Sequence, residues 1–196
     1  MLEFKEYKIL YDNISTLRET SRDDNGVCMT ESEYVVVNFD SVKRQYTQDL
    51  HISEEKASSV DAIAIFDDSI VFIEFKNGGF KNQDLKNKAK DSLLIFLDII
   101  KQDLVYSREF INLIIVYNES VKPRTKEEEQ KIVKDNAYAQ PFPYNQIVGY
   151  LFKYAKQEFV RFGLDRFQQI FFRSVHTYSR TEFDEFLKNM LGDRVR

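Results

Sequence analysis

Hydrophobic positions along the chain fall into stripes of helical period and into short unbroken runs, and the two patterns predict different elements. Phe4, Tyr7, Leu10, Tyr11, Ile14 and Leu17 recur at helical spacing and predict a helix over residues 3–19. Arg22 to Gly26 is polar and reads as a loop, and the valine-rich run Tyr34–Phe39 as a strand. Residues 40–58 are polar and show no clear period. Two apolar runs follow, Val60–Phe66 and Ile70–Lys76, separated by the polar turn Asp67-Asp68-Ser69, and they predict a hairpin. Asn77-Gly78-Gly79 breaks the pattern. Leu85, Ala89, Ser92, Phe96, Ile99 and Ile100 then form a stripe that neighbouring apolar residues widen. This predicts a largely buried helix from about Asp84 to Leu104. Ile111–Tyr117 is a dense β-branched run that reads as a central strand. Beyond it, the capping-box spacing at Thr125 and Glu128 opens a helix to about Tyr138, and Pro141-Phe142-Pro143 breaks it. Residues 145–160 predict another helix, Ile170–His176 a strand, and a second capping box at Ser179 and Glu182 a final helix to about Met190. The core order is helix, three strands, helix, strand. Both hairpin faces are apolar, so helices should cover a mixed sheet on two sides in an α/β fold. No internal repeat or low-complexity linker is present.

The hairpin carries charge where its pattern calls for apolar residues. With a two- or four-residue loop, Phe66 faces Ser69, Ile65 faces Ile70, Ile63 faces Phe72 and Asp61 faces Glu74. Side chains alternate along a strand, so Lys76 shares a face with Glu74. Opposed carboxylates lie about 5 Å apart at Cβ, and like charges placed so destabilise a sheet. Apolar neighbours add a desolvation cost. The Lys76 ammonium and a divalent cation are the two groups that could offset this, and Mg²⁺ is commonly held by one or two carboxylates with water and phosphate oxygens.

Composition narrows the setting. At 196 residues and 43% hydrophobic, the chain can bury the core of one globular unit. Its Met1-Leu2-Glu3-Phe4-Lys5 start has no signal pattern, and the run from Leu93 to Ile100, interrupted by Asp98, is too short to span a bilayer. One cysteine, Cys28, leaves no internal disulfide and fits a reducing cytoplasm. Abundant Lys, Ile, Asn, Phe and Tyr fit the residue usage of an AT-rich genome, such as a low-GC bacterium or its phage. A net charge of −4 counts against a broadly basic nucleic-acid surface, though not against a local groove, and suits a basic protein partner.

Asp61 on one short strand, Glu74-Phe75-Lys76 ending the next, then a long helix and another strand together resemble the PD-(D/E)XK nuclease superfamily over residues 30–118. The bare Glu-x-Lys string also occurs at Glu3, Glu6, Glu54 and Glu129, so the strand context carries the likeness. The resemblance implies a restriction-endonuclease-like core within residues 1–120; residues 121–196 carry no such likeness and read as a C-terminal α/β extension packed on it. It implies Asp61 and Glu74 as ligands of Mg²⁺ or Mn²⁺ and Lys76 as the catalytic lysine. Lys88, bordering the buried stripe of the following helix, is the expected nucleic-acid contact. The further acid that the family often carries on its first helix would be Glu19 or Glu33, and Val60 stands where the motif has proline. The expected activity is phosphodiester hydrolysis in the cytoplasm, on DNA ahead of RNA, in defence, mobile-element or repair biology. A homodimer is compatible with it and a membrane role is not.

Plainer readings stand beside this one. Glu74 and Lys76 could form an ordinary strand-end ion pair, with Asp61 capping a turn. The fold also serves binding proteins, so a non-catalytic immunity protein or antitoxin with a basic partner is the alternative function. His51 and His176 are too few for a histidine-based site, and Cys28 has no histidine near it in sequence. Lys81, Lys86, Lys88 and Lys90 read as a solvated helix face or as a phosphate track beside the site. The tyrosines and phenylalanines of residues 142–172 serve core packing ahead of base stacking. Asn77-Gly78-Gly79 lacks the Lys-Ser/Thr of a phosphate-binding loop.

Overall fold

The computed structural model describes residues 3–66, 69–118 and 160–191. They form an α/β fold built on a six-stranded mixed sheet flanked by helices. Strands β1 (Ile14–Thr16), β2 (Val35–Asn38), β3 (Ala62–Phe66), β4 (Ser69–Lys76), β5 (Ile111–Tyr117) and β6 (Ser174–Ser179) lie side by side in chain order. The first four form an antiparallel meander, and β5 and β6 add in parallel to β4. The change follows from the connections, because a hairpin reverses the chain whereas a parallel neighbour needs a long crossover. Between β4 and β5 that crossover is α4 (Asn82–Ile100) followed by α5 (Leu104–Phe110).

The hairpin register is the predicted one: Phe66 pairs with Ser69, Ile65 with Ile70, Ile63 with Phe72 and Ala62 with Ile73. Every residue of β4 but its two ends is buried, as a strand apolar on both faces requires. Ile70, Phe72, Leu113 and Ile115 pack under α4 and under α3 (Phe39–Asp49), against Phe39, Leu85, Ala89, Leu93 and Phe96. The opposite face, with Val71, Ile73, Phe75, Ile114 and Val116, is closed by Leu17, Met29, Phe183 and Leu187. The last two belong to α6 (Arg180–Leu191), whose capping box forms as expected: Glu182 N donates to Ser179 Oγ and Ser179 N to Glu182 Oε2.

Four expectations need correction. Residues 3–19 are not one helix but a short 3₁₀ turn, α1 (Lys8–Tyr11), β1 and α2 (Leu17–Thr20). Tyr7 is extended, and Asn13 donates its amide to Ile9 O and Gln45 Oε1, which ends α1 and releases the β-branched Ile14 and Thr16 to pair with β2. Phe39 opens a helix instead of closing a strand, because Asn38 Oδ1 accepts from Ser41 N and caps α3. The strand expected at 170–176 starts later, at Ser174, since left-handed Gln169 and the bond from Phe172 N to Phe167 O turn the chain first. The long helix also stops at Ile100, where Lys101 takes the left-handed conformation and Asp103 caps a separate α5. The Asp67-Asp68 turn, the helix expected at 125–138, the proline break and most of the helix expected at 145–160 lie outside the described residues. No helix among the described residues is long and apolar enough to cross a membrane.

Candidate active site

Four of the residues singled out in the sequence come together where α4 crosses the open end of the hairpin. Asp61 immediately precedes β3 and continues its register opposite Glu74. Its Oδ2 accepts a hydrogen bond of 2.6 Å from Phe75 N and so extends the ladder by a side-chain rung. The chain leading into Asp61 is tied to α4: Ser58 N donates to Asp91 Oδ2 at 2.9 Å and Val60 N to Ser92 Oγ at 2.8 Å. These bonds satisfy backbone groups that β2 does not pair, and they fix Asp61 relative to the helix.

Glu74 is fully buried, flanked by β3 on one side and Ile115 of β5 on the other. Two lysines answer its charge. Lys76, two residues on and therefore on the same face, places Nζ 2.5 Å from Glu74 Oε1. Lys88 reaches down from α4, its stem beside the buried Leu85 and Ala89. Its Nζ lies 2.8 Å from Glu74 Oε1, donates to Oε2 at 3.1 Å and stands 3.5 Å from Asp61 Oδ1. Both ammonium groups crowd Glu74 Oε1, so that buried oxygen is compensated by charge. Lys88 therefore bridges the two carboxylates, a closer engagement than the phosphate contact expected of it.

Neither Glu19 nor Glu33 joins this group. Glu19 pairs with Arg22 and Glu33 with Arg18, both in exposed ion pairs. The third acid whose charge reaches Asp61 and Lys88 is Asp40, in the first turn of α3, where it accepts a short hydrogen bond from Ser59. The sequence held a signal for it: Asn38 before an acidic first turn is a helix start, obscured by the polar stretch behind it. Just beyond Lys76, Asn77 donates to Asp23 Oδ2 and accepts from Asn118 Nδ2, both at 2.6 Å, which pins the exit from β4 to the end of β5. His176, by contrast, sits on β6 beside Ser174 Oγ, away from these charges.

The electrostatics follow from unequal sharing. Lys88 is nearer to Glu74 than to Asp61, so Asp61 is the less compensated carboxylate. Burial first, then Glu74 and more weakly Asp40, push its pKa up to about 8, against the pull of Lys88 and the Phe75 N–H. Burial works against the charged form of Lys88, but Asp61, Glu74 and Asp40 outweigh it and hold its pKa above that of an ordinary lysine. An acid whose folded pKa is raised keeps a proton that the unfolded chain has lost, so stability is greatest at low pH within this window. Stability should fall as pH rises from about 5 to about 8, and Asp61→Asn should flatten that slope. Urea midpoints across the range check it, and an equally steep wild type and variant would assign the slope elsewhere.

Among the described residues no three His, Cys, Asp or Glu side chains gather to hold a metal, so any divalent cation would rest on Asp61 and Glu74 with water. Two hard carboxylates are a donor set that Mg²⁺ accepts. The buried Glu74 Oε1, which faces two ammonium groups, sits where positive charge is favoured. No protein family model, curated protein or solved structure matches the chain.

Proposed function

We propose that the chain is a divalent-metal-dependent nuclease of PD-(D/E)XK type on a restriction-endonuclease-like fold, hydrolysing phosphodiester bonds in DNA ahead of RNA. The observation that carries this reading is the in-register Asp61–Glu74 pair with Lys76 on the same face. The antiparallel β2–β3–β4 meander, the α4 crossover and the parallel β5 support it, since they supply the order that the resemblance requires. Asp61 and Glu74 would hold Mg²⁺ or Mn²⁺, which when bound lowers the pKa of water and neutralises charge on a phosphate. Lys76 stands within reach of the same oxygens and would orient or deprotonate the attacking water. Lys88 would meet the phosphate. A setting in bacterial defence or mobile-element biology belongs to the same proposal.

The test is cleavage of single- and double-stranded DNA and RNA with Mn²⁺, Mg²⁺ or EDTA. Wild type should cleave only with metal, and Asp61→Ala and Lys76→Ala should not cleave although folded. A second reading, a non-catalytic protein with a basic partner, is favoured by one feature: two lysines already balance the two carboxylates. No cleavage of any substrate, together with no metal binding by calorimetry, would decide for it.

A further inference from the structure

We propose that Lys88 is a built-in counter-ion occupying the divalent-cation position, and that its ammonium must leave Asp61 and Glu74 for Mg²⁺ or Mn²⁺ to bind. The inference rests on the metal-dependent reading above and adds to it how the site is kept closed.

Asp61 Oδ2 accepts from Phe75 N, so Oδ1 is the oxygen without a backbone bond, and Lys88 Nζ stands 3.5 Å from it. Glu74 Oε2 accepts from Lys88 at 3.1 Å, and Lys88 also lies 2.8 Å from Oε1. A cation held by both carboxylates would need these same atoms. Lys76 contests them differently, because it stands 2.5 Å from Glu74 Oε1 whereas Lys88 reaches both carboxylates. Two carboxyl groups facing one another between α4 and the sheet need a positive partner before both can ionise, so an internal ammonium at that point stabilises the metal-free protein. The Lys88 stem is long and a quarter of its side chain is exposed, which gives the ammonium a route to solvent without moving α4. Once displaced, it would stand at the mouth of the site, where a substrate phosphate would meet it.

A site that is mostly occupied by its own lysine shows an apparent affinity reduced by the fraction of time it is open. Calorimetric titration of the full chain with Mn²⁺ reads this directly, without reference to cleavage. Lys88→Met and Lys88→Gln should bind Mn²⁺ about 10-fold more tightly than wild type, as expected if the site is open about a tenth of the time. Lys76→Met removes the same charge and should change affinity less. Lys88→Gln keeps a polar group against the carboxylates, and Mn²⁺ should raise its melting temperature more than it raises that of wild type, which reads the same competition if Lys88→Met folds poorly. Wild-type binding that Asp61→Asn abolishes, with no gain in either Lys88 variant or a gain no larger than in Lys76→Met, would overturn the inference and leave the metal reading standing. No Mn²⁺ binding by wild type or by any variant would overturn both.

Discussion

Glu74→Ala should abolish metal-dependent cleavage and also lower stability, and the two effects have separate causes. The activity loss should be on the order of 1000-fold or more, because Lewis-acid stabilisation is worth several kcal/mol and Glu74 would supply half of the protein ligands. The stability effect is a balance. Removing one member of a buried ion pair typically costs about 3–5 kcal/mol because the remaining charge is left without a partner. Here the loss should be nearer 2 kcal/mol, below that range. Lys76 and Lys88 keep 18% and 25% of their side chains exposed and can turn their ammonium groups towards water. Asp61 is also relieved of the Glu74 charge and takes over Lys88. Cleavage assays and urea unfolding on the same preparation separate the two effects. A folded variant of unchanged stability would show that Glu74 is not held by these lysines, and one with full cleavage would end the nuclease reading.

Phe72→Ala should be the most damaging single truncation in the core, at about 4 kcal/mol. Phe72 is fully buried, and its ring meets those of Phe39, Phe96 and Phe172 at centroid distances of 6.0, 5.3 and 5.9 Å. These partners come from α3, from α4 and from the segment entering β6, so one ring joins three separate parts of the chain to β4. A cavity at such a junction cannot collapse without shifting a helix, which places its cost towards the upper end of the known range. Phe72 lies two residues before Glu74 on the same face, and α4 carries Lys88, so the cavity should also loosen the Lys88 bridge. The chain has no tryptophan, so far-UV circular dichroism in urea is the suitable measurement. A loss below about 2 kcal/mol would mean that the three rings close over the space.

How far the sequence disclosed these features depended on how local their causes are. The hairpin register was legible because side-chain period and turn length determine it over seventeen residues, and it placed Asp61 opposite Glu74 without any tertiary knowledge. The α6 cap was legible for the same reason, since Ser179 and Glu182 satisfy each other. The amino-terminal segment misled because Phe4, Tyr7, Leu10, Ile14 and Leu17 keep a helical spacing while Asn13 finds a partner in Gln45, thirty-two residues away. Tertiary pairing there overrides local period. Helix α3 was hidden because one turn of buried residues, Phe39 and Val42, is followed mostly by polar ones. Lys88 was visible as a residue bordering the α4 stripe. That it bridges two carboxylates depends on how closely α4 packs on β4, which no spacing along the chain encodes.

Asp61 divides its two oxygens between different tasks, and that division bears on how such a site would age in a lineage. One oxygen completes the backbone ladder at Phe75 N and the other faces an ammonium. Glutamate is one methylene too long to hold the first bond, and asparagine would turn its NH₂ towards one of two donors. Aspartate therefore answers both the backbone donor and the ammonium here. Glu74 answers to no such demand, since its partners are side chains alone and an apolar residue of similar size would fill its space. Sequence change would therefore be tolerated first at Glu74 and its two lysines, while position 61 would still need an acceptor for Phe75 N.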